Sequence, residues 1–307
     1  MKTNSKLEKV LKTGSLAVTS ECGPPRGAVP DKIRKKAEML RGYVDAINVT
    51  DNQTAVVRMS SMAACIFIKQ LGLSPILQMV TRDRNRLAMQ SDILGAYSHG
   101  IDTILCLSGD HPQFGDHPMA ANVYDIDSVQ FVQMVKKMRD EGKFQGGDDI
   151  ENPPRMFIGA AANPFADPFE LRVLRLAKKV QAGADFIQTQ CVYNLDKFER
   201  WMAQVRERGL DKQVYILAGI TPLKSAGMAK YMKNRVPGMD VPDELVNRIS
   251  GVPKEKQAEE GLKIAIESIQ RLKGVAGVSG FHIMAIEWEE KVPQIVEQAG
   301  LLPRPEV

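Results

Sequence analysis

Eight short apolar runs, separated by amphipathic stretches, constrain the fold of this chain more than any other feature of its sequence. The runs are SLAVTSE, DAINVTD, PILQMVT, DTILCLSGD, RMFIGAAAN, FIQTQ, VYILAGITP and SGFHIMAIE. Strands that alternate with helices predict parallel strands joined by crossover helices. Eight such units predict an α/β chain that folds as one (β/α)8 TIM barrel domain over residues 1–307.

The helical stretches are not evenly spread along the chain. Three of them lie between the seventh and eighth runs: LKSAGMAKYMKN, PDELVNRISG and EKQAEEGLKIAIESIQRLKG. We therefore expect extra helices before the last strand. We predict a short lead-in helix over residues 1–13 and a helix over 128–144, from the pattern SVQFVQMVKKMRDEGKF. A third helix, predicted from FELRVLRLAKKVQAGA, should end at Gly183.

Polar side chains occupy the far ends of the apolar runs. Enzymes with this fold carry out their chemistry at the carboxyl ends of the strands. Catalysis is therefore expected among these residues, which are Glu21, Thr50, Asp51, Gln78, Asp110, Asn163, Gln190, Gly219, Thr221, His282 and Glu287.

Glu21 is the first candidate for an acid catalyst. It ends an apolar or hydroxylic strand and precedes a rigid Gly-Pro-Pro turn. A carboxyl group beside apolar walls at a barrel mouth should have a raised pKa, as a general acid near neutral pH requires. The alternative is a strand-end carboxylate that pairs with an arginine such as Arg26.

Asp110 and Gln190 follow the fourth and sixth runs. Gly109 lets the backbone beside Asp110 approach a ligand, whereas a turn or helix cap is the structural alternative for this aspartate. Gln190 has no nearby helix to cap, so its amide is expected to face the mouth and to read the edge of a heterocycle. The alternative for Gln190 is a buried hydrogen bond between strands.

A row of basic residues lies on the helix after the fifth run. Arg172, Arg175 and Lys179 recur at helical spacing, with Lys178 beside them. They could clamp a phosphate group of a cofactor or form a solvated helix face. His282, inside the last run, is either a packed core residue or a ligand contact.

Composition excludes several classes of protein. The net charge is +4, which is too small and too dispersed for a nucleic-acid-binding protein but suits an anionic small molecule. The 4 cysteines form no CxxC pair, and the histidines lack ligand spacing, so no metal site is predicted. We find no signal peptide and no apolar run that could span a membrane. A cytoplasmic protein with free thiols is expected.

Several motifs, in order along the chain, match a known family. They are Glu21 before Gly-Pro-Pro, a GD-x-P loop, AAANPFADP, KKVQAGADFIQTQ and GVSGFH. On these motifs the chain resembles the methylenetetrahydrofolate reductases over nearly its full length. The resemblance implies a flavin-bearing barrel that reduces 5,10-methylenetetrahydrofolate to 5-methyltetrahydrofolate in one-carbon metabolism.

The resemblance also implies roles for individual residues. Glu21 would be the general acid that opens the folate ring, with hydride delivered from N5 of the reduced flavin. Asp110 would act near flavin and pterin, Gln190 would hold the pterin, and His282 is a further candidate for substrate contact. The implied flavin-binding residues are Thr50, Gln78, Gly109, Asp110, Asn163, Asp167, Arg175, Lys178 and Lys179.

Departures from the best-known bacterial members bear on the cofactor and the electron donor. The family implies FAD. Ser108, Asn163 and Asp167 replace an arginine, a tyrosine and a histidine, which makes FMN the alternative. Ala226 stands near the position of an aromatic residue that contacts nicotinamide, and Trp288 replaces a basic residue. The chain looks more like the anaerobic one-carbon branch of the family.

In that branch electrons often arrive through a partner protein rather than from NADH bound at the barrel. We therefore expect either NAD(P)H or an iron–sulfur redox partner protein as the electron donor, and a homo-oligomer or a hetero-complex. Two other classes stay open at this point. One is a barrel methyltransferase that binds a pterin without flavin. The other is a non-catalytic subunit that holds folate or docks an iron–sulfur partner.

Overall fold

Eight parallel strands close into a barrel in sequence order. The computed structural model describes residues 1–307. The strands are β1 Ala17–Cys22, β2 Ala46–Val49, β3 Pro75–Val80, β4 Thr103–Leu107, β5 Phe157–Ala162, β6 Phe186–Cys191, β7 Tyr215–Ile220 and β8 Val278–Ile283. Closure comes from β1 and β8, which pair in parallel with Ala17 opposite Gly280. The predicted (β/α)8 barrel is confirmed.

Eleven α-helices surround the strands. They are α1 Lys6–Lys12, α2 Pro30–Met39, α3 Ser61–Gln70, α4 Arg86–Ser98, α5 Ser128–Asp140, α6 Glu170–Ala182, α7 Leu195–Glu207, α8 Ala226–Arg235, α9 Asp243–Ser250, α10 Gln257–Leu272 and α11 Val292–Gln298. The connection from β7 to β8 holds α8, α9 and α10, which confirms the predicted extra helices. No helix is both long and apolar enough to cross a bilayer.

Helix α5 is shorter than its sequence pattern predicts. The pattern extends to residue 144, but the helix ends at Asp140. Gly142 has a φ of +64° and turns the chain, and Lys143 then forms an isolated antiparallel bridge with Asp149. A left-handed residue cannot continue an α-helix, so the expected end of α5 was wrong by one turn. The predicted end of α6 at Gly183 is confirmed, since Gly183 has a φ of +116°.

The amino-terminal end of the barrel is sealed by apolar side chains. Alternate strand residues point inward, and the lowest inward layer packs against α1. This layer contains Ala17, Ala46, Ile76, Leu105, Phe157, Phe186 and Leu217 beside Leu7, Val10 and Leu11 of α1. The rings of Phe157 and Phe186 stack with centroids 5.2 Å apart. The amino-terminal end is therefore closed, and the barrel interior can open only at its carboxyl end, where the predicted site lies.

Candidate active site

A central cavity of about 420 Å³ opens at the carboxyl end of the barrel. It collects residues from strands and helices that are far apart in the sequence. Its polar lining consists of Glu21, Gln78, Asn163, Arg172, Arg175, Lys179, Gln188, Thr189, Gln190 and His282. Twelve residues were assigned to the acid, the flavin or the substrate, and seven of them are thus brought to one cavity, which is within the size range of small-molecule pockets.

A side recess of about 260 Å³ adjoins the central cavity and shares Glu21 and Gln78 with it. Thr50, Gly109 and Asp110 line this recess. Together the two spaces hold ten of the twelve residues assigned to the acid, the flavin or the substrate. The other two, Asp167 and Lys178, line neither space.

Glu21 lies on the inner face of β1 with one hydrogen bond. Its Oε1 accepts from the Gln53 amide at 3.0 Å, whereas Arg26 pairs with Asp116 at 2.7 Å. Burial raises the pKa of Glu21 to about 7, and the negative charge of Glu289 adds to this shift while the Gln53 hydrogen bond opposes it. The predicted raised pKa is confirmed, and the alternative pairing with Arg26 is wrong.

A series of hydrogen-bonded, buried polar side chains lies at the bottom of the central cavity. The Asn48 amide donates to Gln188 Oε1 at 3.1 Å, and the Gln188 amide donates to Thr19 Oγ1 at 3.3 Å. The Thr19 hydroxyl also bonds His282 Nδ1 at 2.9 Å. Burial lowers the pKa of His282 to about 3, so the imidazole is neutral at physiological pH. His282 is both a packed core residue and part of the cavity lining.

Sequence reasoning missed Thr19, Asn48 and Gln188. A signal was present, because each stands two residues before a predicted site residue, namely Glu21, Thr50 and Gln190. Residues two apart in a strand face the same side of the sheet.

One face of α6 forms a cationic wall of the central cavity. Arg172, Arg175 and Lys179 line it, and none of them pairs with a carboxylate. The Lys179 ammonium donates to the Ala161 carbonyl, and burial together with the charge of Arg175 lowers the pKa of Lys179 to about 8. Lys178 is exposed on another side of α6, because one residue turns a helix by about 100°.

Asn163 and Asp167 lie in the loop before α6 but in different settings. Asn163 Oδ1 accepts from the Phe165 amide at 2.9 Å, and its Nδ2 donates to the Gly238 carbonyl at 3.1 Å. The side chain of Asn163 thus ties this loop to the segment after α8. Asp167 is exposed, and its carbonyl accepts from Arg172 at 3.4 Å.

Two groups of the side recess have free hydrogen-bonding capacity. The Thr50 hydroxyl is buried and has no partner. The Asp110 carboxylate is exposed, and only the carbonyl of this residue is bonded, to Arg82 at 3.0 Å. Asp110 therefore caps no helix. Gly109 has a φ of +85°, and a Cβ there would lie 3.0 Å from Val80 Cβ, so glycine is needed for this turn.

Ala226 and Trp288, two of the positions that depart from the best-known bacterial members of the family, lie after β7 and β8. Ala226 begins α8, and its amide donates to Gln257 Oε1 at 2.9 Å. The Lys224 ammonium lies 5.6 Å from the centre of the Trp288 ring. The position of the replaced basic residue is thus occupied by an aromatic ring that faces a lysine from the neighbouring loop.

Comparison with known proteins assigns the chain to a family. The family profile described as methylenetetrahydrofolate reductase matches residues 6–300. Methylenetetrahydrofolate reductase 2 of Saccharomyces cerevisiae is 26% identical over 76% of this chain and 38% of its own length. The enzyme of the same name from Schizosaccharomyces pombe is 29% identical over 68% of this chain and 33% of its own length. The chain thus spans about a third of each of these relatives.

A bacterial relative and a solved structure match over more of their own lengths. The 5,10-methylenetetrahydrofolate reductase of Salmonella typhimurium is 22% identical over 76% of this chain and 73% of its own length. A Clostridium thermocellum protein described as binding two copies of 5-methyl-5,6,7,8-tetrahydrofolic acid aligns with a TM-score of 0.64 and 15% identity, over 96% of this chain and 100% of that one. This likeness shows the same fold, and the profile match shows that the chain belongs to the methylenetetrahydrofolate reductase family.

Proposed function

We propose that this chain reduces 5,10-methylenetetrahydrofolate to 5-methyltetrahydrofolate with a bound flavin. One observation carries the proposal: the central cavity joins a carboxyl group with a pKa of about 7 to a wall of cations without carboxylate partners. An acid near neutral pH and a site for an anionic cofactor are what this reaction needs. Membership in the family supplies the identity of the substrate.

The residues present fit a flavin. Arg172, Arg175 and Lys179 suit the phosphate groups, because guanidinium and ammonium groups form charge-assisted hydrogen bonds with phosphate oxygens. The unpartnered Thr50 hydroxyl can bond a polar edge of the ring system. Apolar residues of the same cavity, among them Leu107 and Ala161, can pack against its face. FAD is proposed, with FMN as the alternative.

When bound and reduced, the flavin supplies a hydride to the one-carbon unit of folate. The chain supplies the proton. Glu21 gives its proton to the folate nitrogen that leaves the methylene carbon as the five-membered ring opens. With a pKa of about 7, about half of Glu21 is neutral at pH 7.

Gln190 and Asp110 are proposed to hold the pterin. Gln190 Oε1 accepts from the Cys191 amide at 3.0 Å, which leaves its NH₂ group to donate to a pterin acceptor. The free Asp110 carboxylate can accept from a pterin amino group. His282 closes the bottom of the same cavity as a neutral ring, so it adds no positive charge beside the substrate.

We propose that electrons arrive from an iron–sulfur redox partner protein in a hetero-complex, with NAD(P)H and a homo-oligomer as the alternative. Ala226 offers no aromatic surface to a nicotinamide ring, which supports the partner. Location in the cytoplasm stays a prediction, supported by four buried cysteines without disulfides.

Purification and anaerobic turnover test the proposal. The purified chain should be yellow, and chromatography of the released flavin should give FAD. After chemical reduction, the protein should convert methylenetetrahydrofolate to methyltetrahydrofolate and regain its oxidised spectrum. A folded chain that neither holds nor takes up a flavin would refute the proposal. A colourless protein that transfers a methyl group would identify the methyltransferase instead.

A further inference from the structure

We propose that Gln53 is a positioning residue that holds Glu21 Oε1, so that the acid proton resides on Oε2. The inference rests on the proposed function, since it takes Glu21 as the acid. It adds a residue that no family motif in the chain contains. Gln53 lies 32 positions after Glu21 and reaches it from the loop between β2 and α3.

The contact between the two side chains is specific. The Gln53 amide donates to Glu21 Oε1 at 3.0 Å, and this is the one hydrogen bond that the Glu21 carboxyl makes. A neutral carboxylic acid has one carbonyl oxygen and one hydroxyl oxygen. An N–H group that donates to Oε1 makes Oε1 the carbonyl oxygen. The proton is then left on Oε2.

The loop that carries Gln53 has an uncommon backbone. Asn52, Thr54 and Ala55 have φ values of 44°, 55° and 56°, and none of them is glycine. Left-handed conformations at such residues are costly and persist where surrounding structure imposes them, often at functional sites. Three of them around one side chain indicate a loop shaped to present Gln53.

Contacts that do not involve Glu21 hold this loop in place. Asn52 Nδ2 donates to Asp83 at 3.3 Å, and Asn52 Oδ1 accepts from the Arg58 amide at 3.0 Å. The backbone of Gly115 lies against Ala55. A Cβ added to Gly115 would be 1.8 Å from the Ala55 carbonyl oxygen. The position of Gln53 is therefore set independently of Glu21.

The three charged groups that act on the pKa of Glu21, namely Lys36, Arg58 and Glu289, all have other partners. Lys36 of α2 pairs with Glu289 of the loop after β8 at 2.6 Å, and Arg58 donates to the Pro24 carbonyl at 3.1 Å. The thiols of Cys22 and Cys191 also feel the charge of Glu21. The other titratable groups that line a space together with Glu21 are Asp51, Arg82, Asp110, Arg172, Arg175, Lys179, His282 and Glu287. A cation at the place of Gln53 would keep Glu21 ionised. A neutral amide orders the carboxyl group and still allows it to hold a proton.

The test is the pH dependence of flavin reoxidation by methylenetetrahydrofolate in the reduced holoenzyme. A general acid works while protonated, so the rate falls as pH rises through the pKa of Glu21. Two or three hydrogen bonds lower a carboxyl pKa by about two units, so the loss of one should raise it by roughly one. We expect Gln53→Met, which keeps the length but lacks the donor, to move the falling limb up by roughly one pH unit and to lower the plateau rate.

Val57→Ala is the matched control, because Val57 lies in the same connection between β2 and α3, has an exposed side chain and cannot hydrogen-bond Glu21 or Gln53 through it, so the pH profile should keep its wild-type position. If the rate of Gln53→Met falls at the same pH as that of the wild type, the proposal is overturned. A merely structural role of Gln53 would lower the rate without shifting its pH profile. A fall in rate at lower pH for Gln53→Met would also overturn the proposal. It would mean that the Gln53 amide oxygen accepts the acid proton in the wild type.

If Gln53→Met fails to fold, Gln53→Glu provides the same test at constant shape. A second carboxyl group beside Glu21 should raise its pKa by like-charge repulsion, so that the rate falls at higher pH. An unchanged pH profile would show that the two side chains are not in contact. Failure of the proposed function is distinguishable: Glu21→Gln would then keep the wild-type rate and its falling limb, whatever the Gln53 variants do.

Discussion

Glu21→Gln should stabilise the flavin-free chain at alkaline pH, although it removes the proposed acid. In the folded protein the pKa of Glu21 is raised from 4.5 to about 7 by burial. The folded state therefore binds more protons than the unfolded state between these two values. The contribution of Glu21 to stability is fully present below pH 4.5 and is lost as pH rises through 7.

The magnitude follows from the shift. A rise from 4.5 to about 7 corresponds to about 3 kcal/mol of unfolding free energy lost above pH 7, and to about 1 kcal/mol at pH 5. Glutamine has nearly the same shape, stays neutral at every pH and can still accept the Gln53 hydrogen bond. At pH 8 we expect Glu21→Gln to melt about 5 °C above wild type, given the entropy of unfolding of a chain of this length.

The assay is thermal unfolding of wild type and variant at pH 5 and pH 8, without flavin. Glu290→Gln serves as the control, because Glu290 is exposed beside the same mouth and its removal should change the melting temperature little at either pH. An equal effect of Glu21→Gln at the two pH values would refute the reasoning, since burial of an ionisable group predicts a gain that grows with pH.

Three further predictions concern activity and cofactor binding. Glu21→Gln should slow folate reduction by about two to four orders of magnitude and leave flavin reoxidation by an artificial acceptor unchanged, measured as separate half-reactions. Lys179→Met should weaken flavin binding about ten- to a hundredfold in a fluorescence titration, whereas the exposed Lys178→Met should cost less than about fivefold. Because Ala226 cannot stack on nicotinamide, anaerobic stopped-flow should show slow reduction of the flavin by NADH and fast reduction by a reduced dye. Rapid, saturable bleaching of the flavin at micromolar NADH would exclude the need for a partner protein.

The sequence by itself determined the barrel and the end at which its site lies. Strand and helix periodicity are local properties, so the runs ending near Glu21, Thr50 and Gln190 could be recognised without knowing what they pack against. Parallel strands place all their carboxyl ends on one side, which brought these residues to one mouth. The helix end at Gly183 was readable for the same local reason, whereas Gly142 stopped α5 earlier than its apolar pattern suggested.

Only the tertiary structure decided which side chains meet within that mouth. The phase of α6 puts Lys179 inside the central cavity and Lys178 outside it, although both are lysines in one basic stretch. The value of the Glu21 pKa depends on burial by residues from several strands. Its contact with Gln53 depends on a loop with three left-handed residues, held by distant contacts. Such loop conformations arise from non-local packing, which leaves no periodic signal in the sequence.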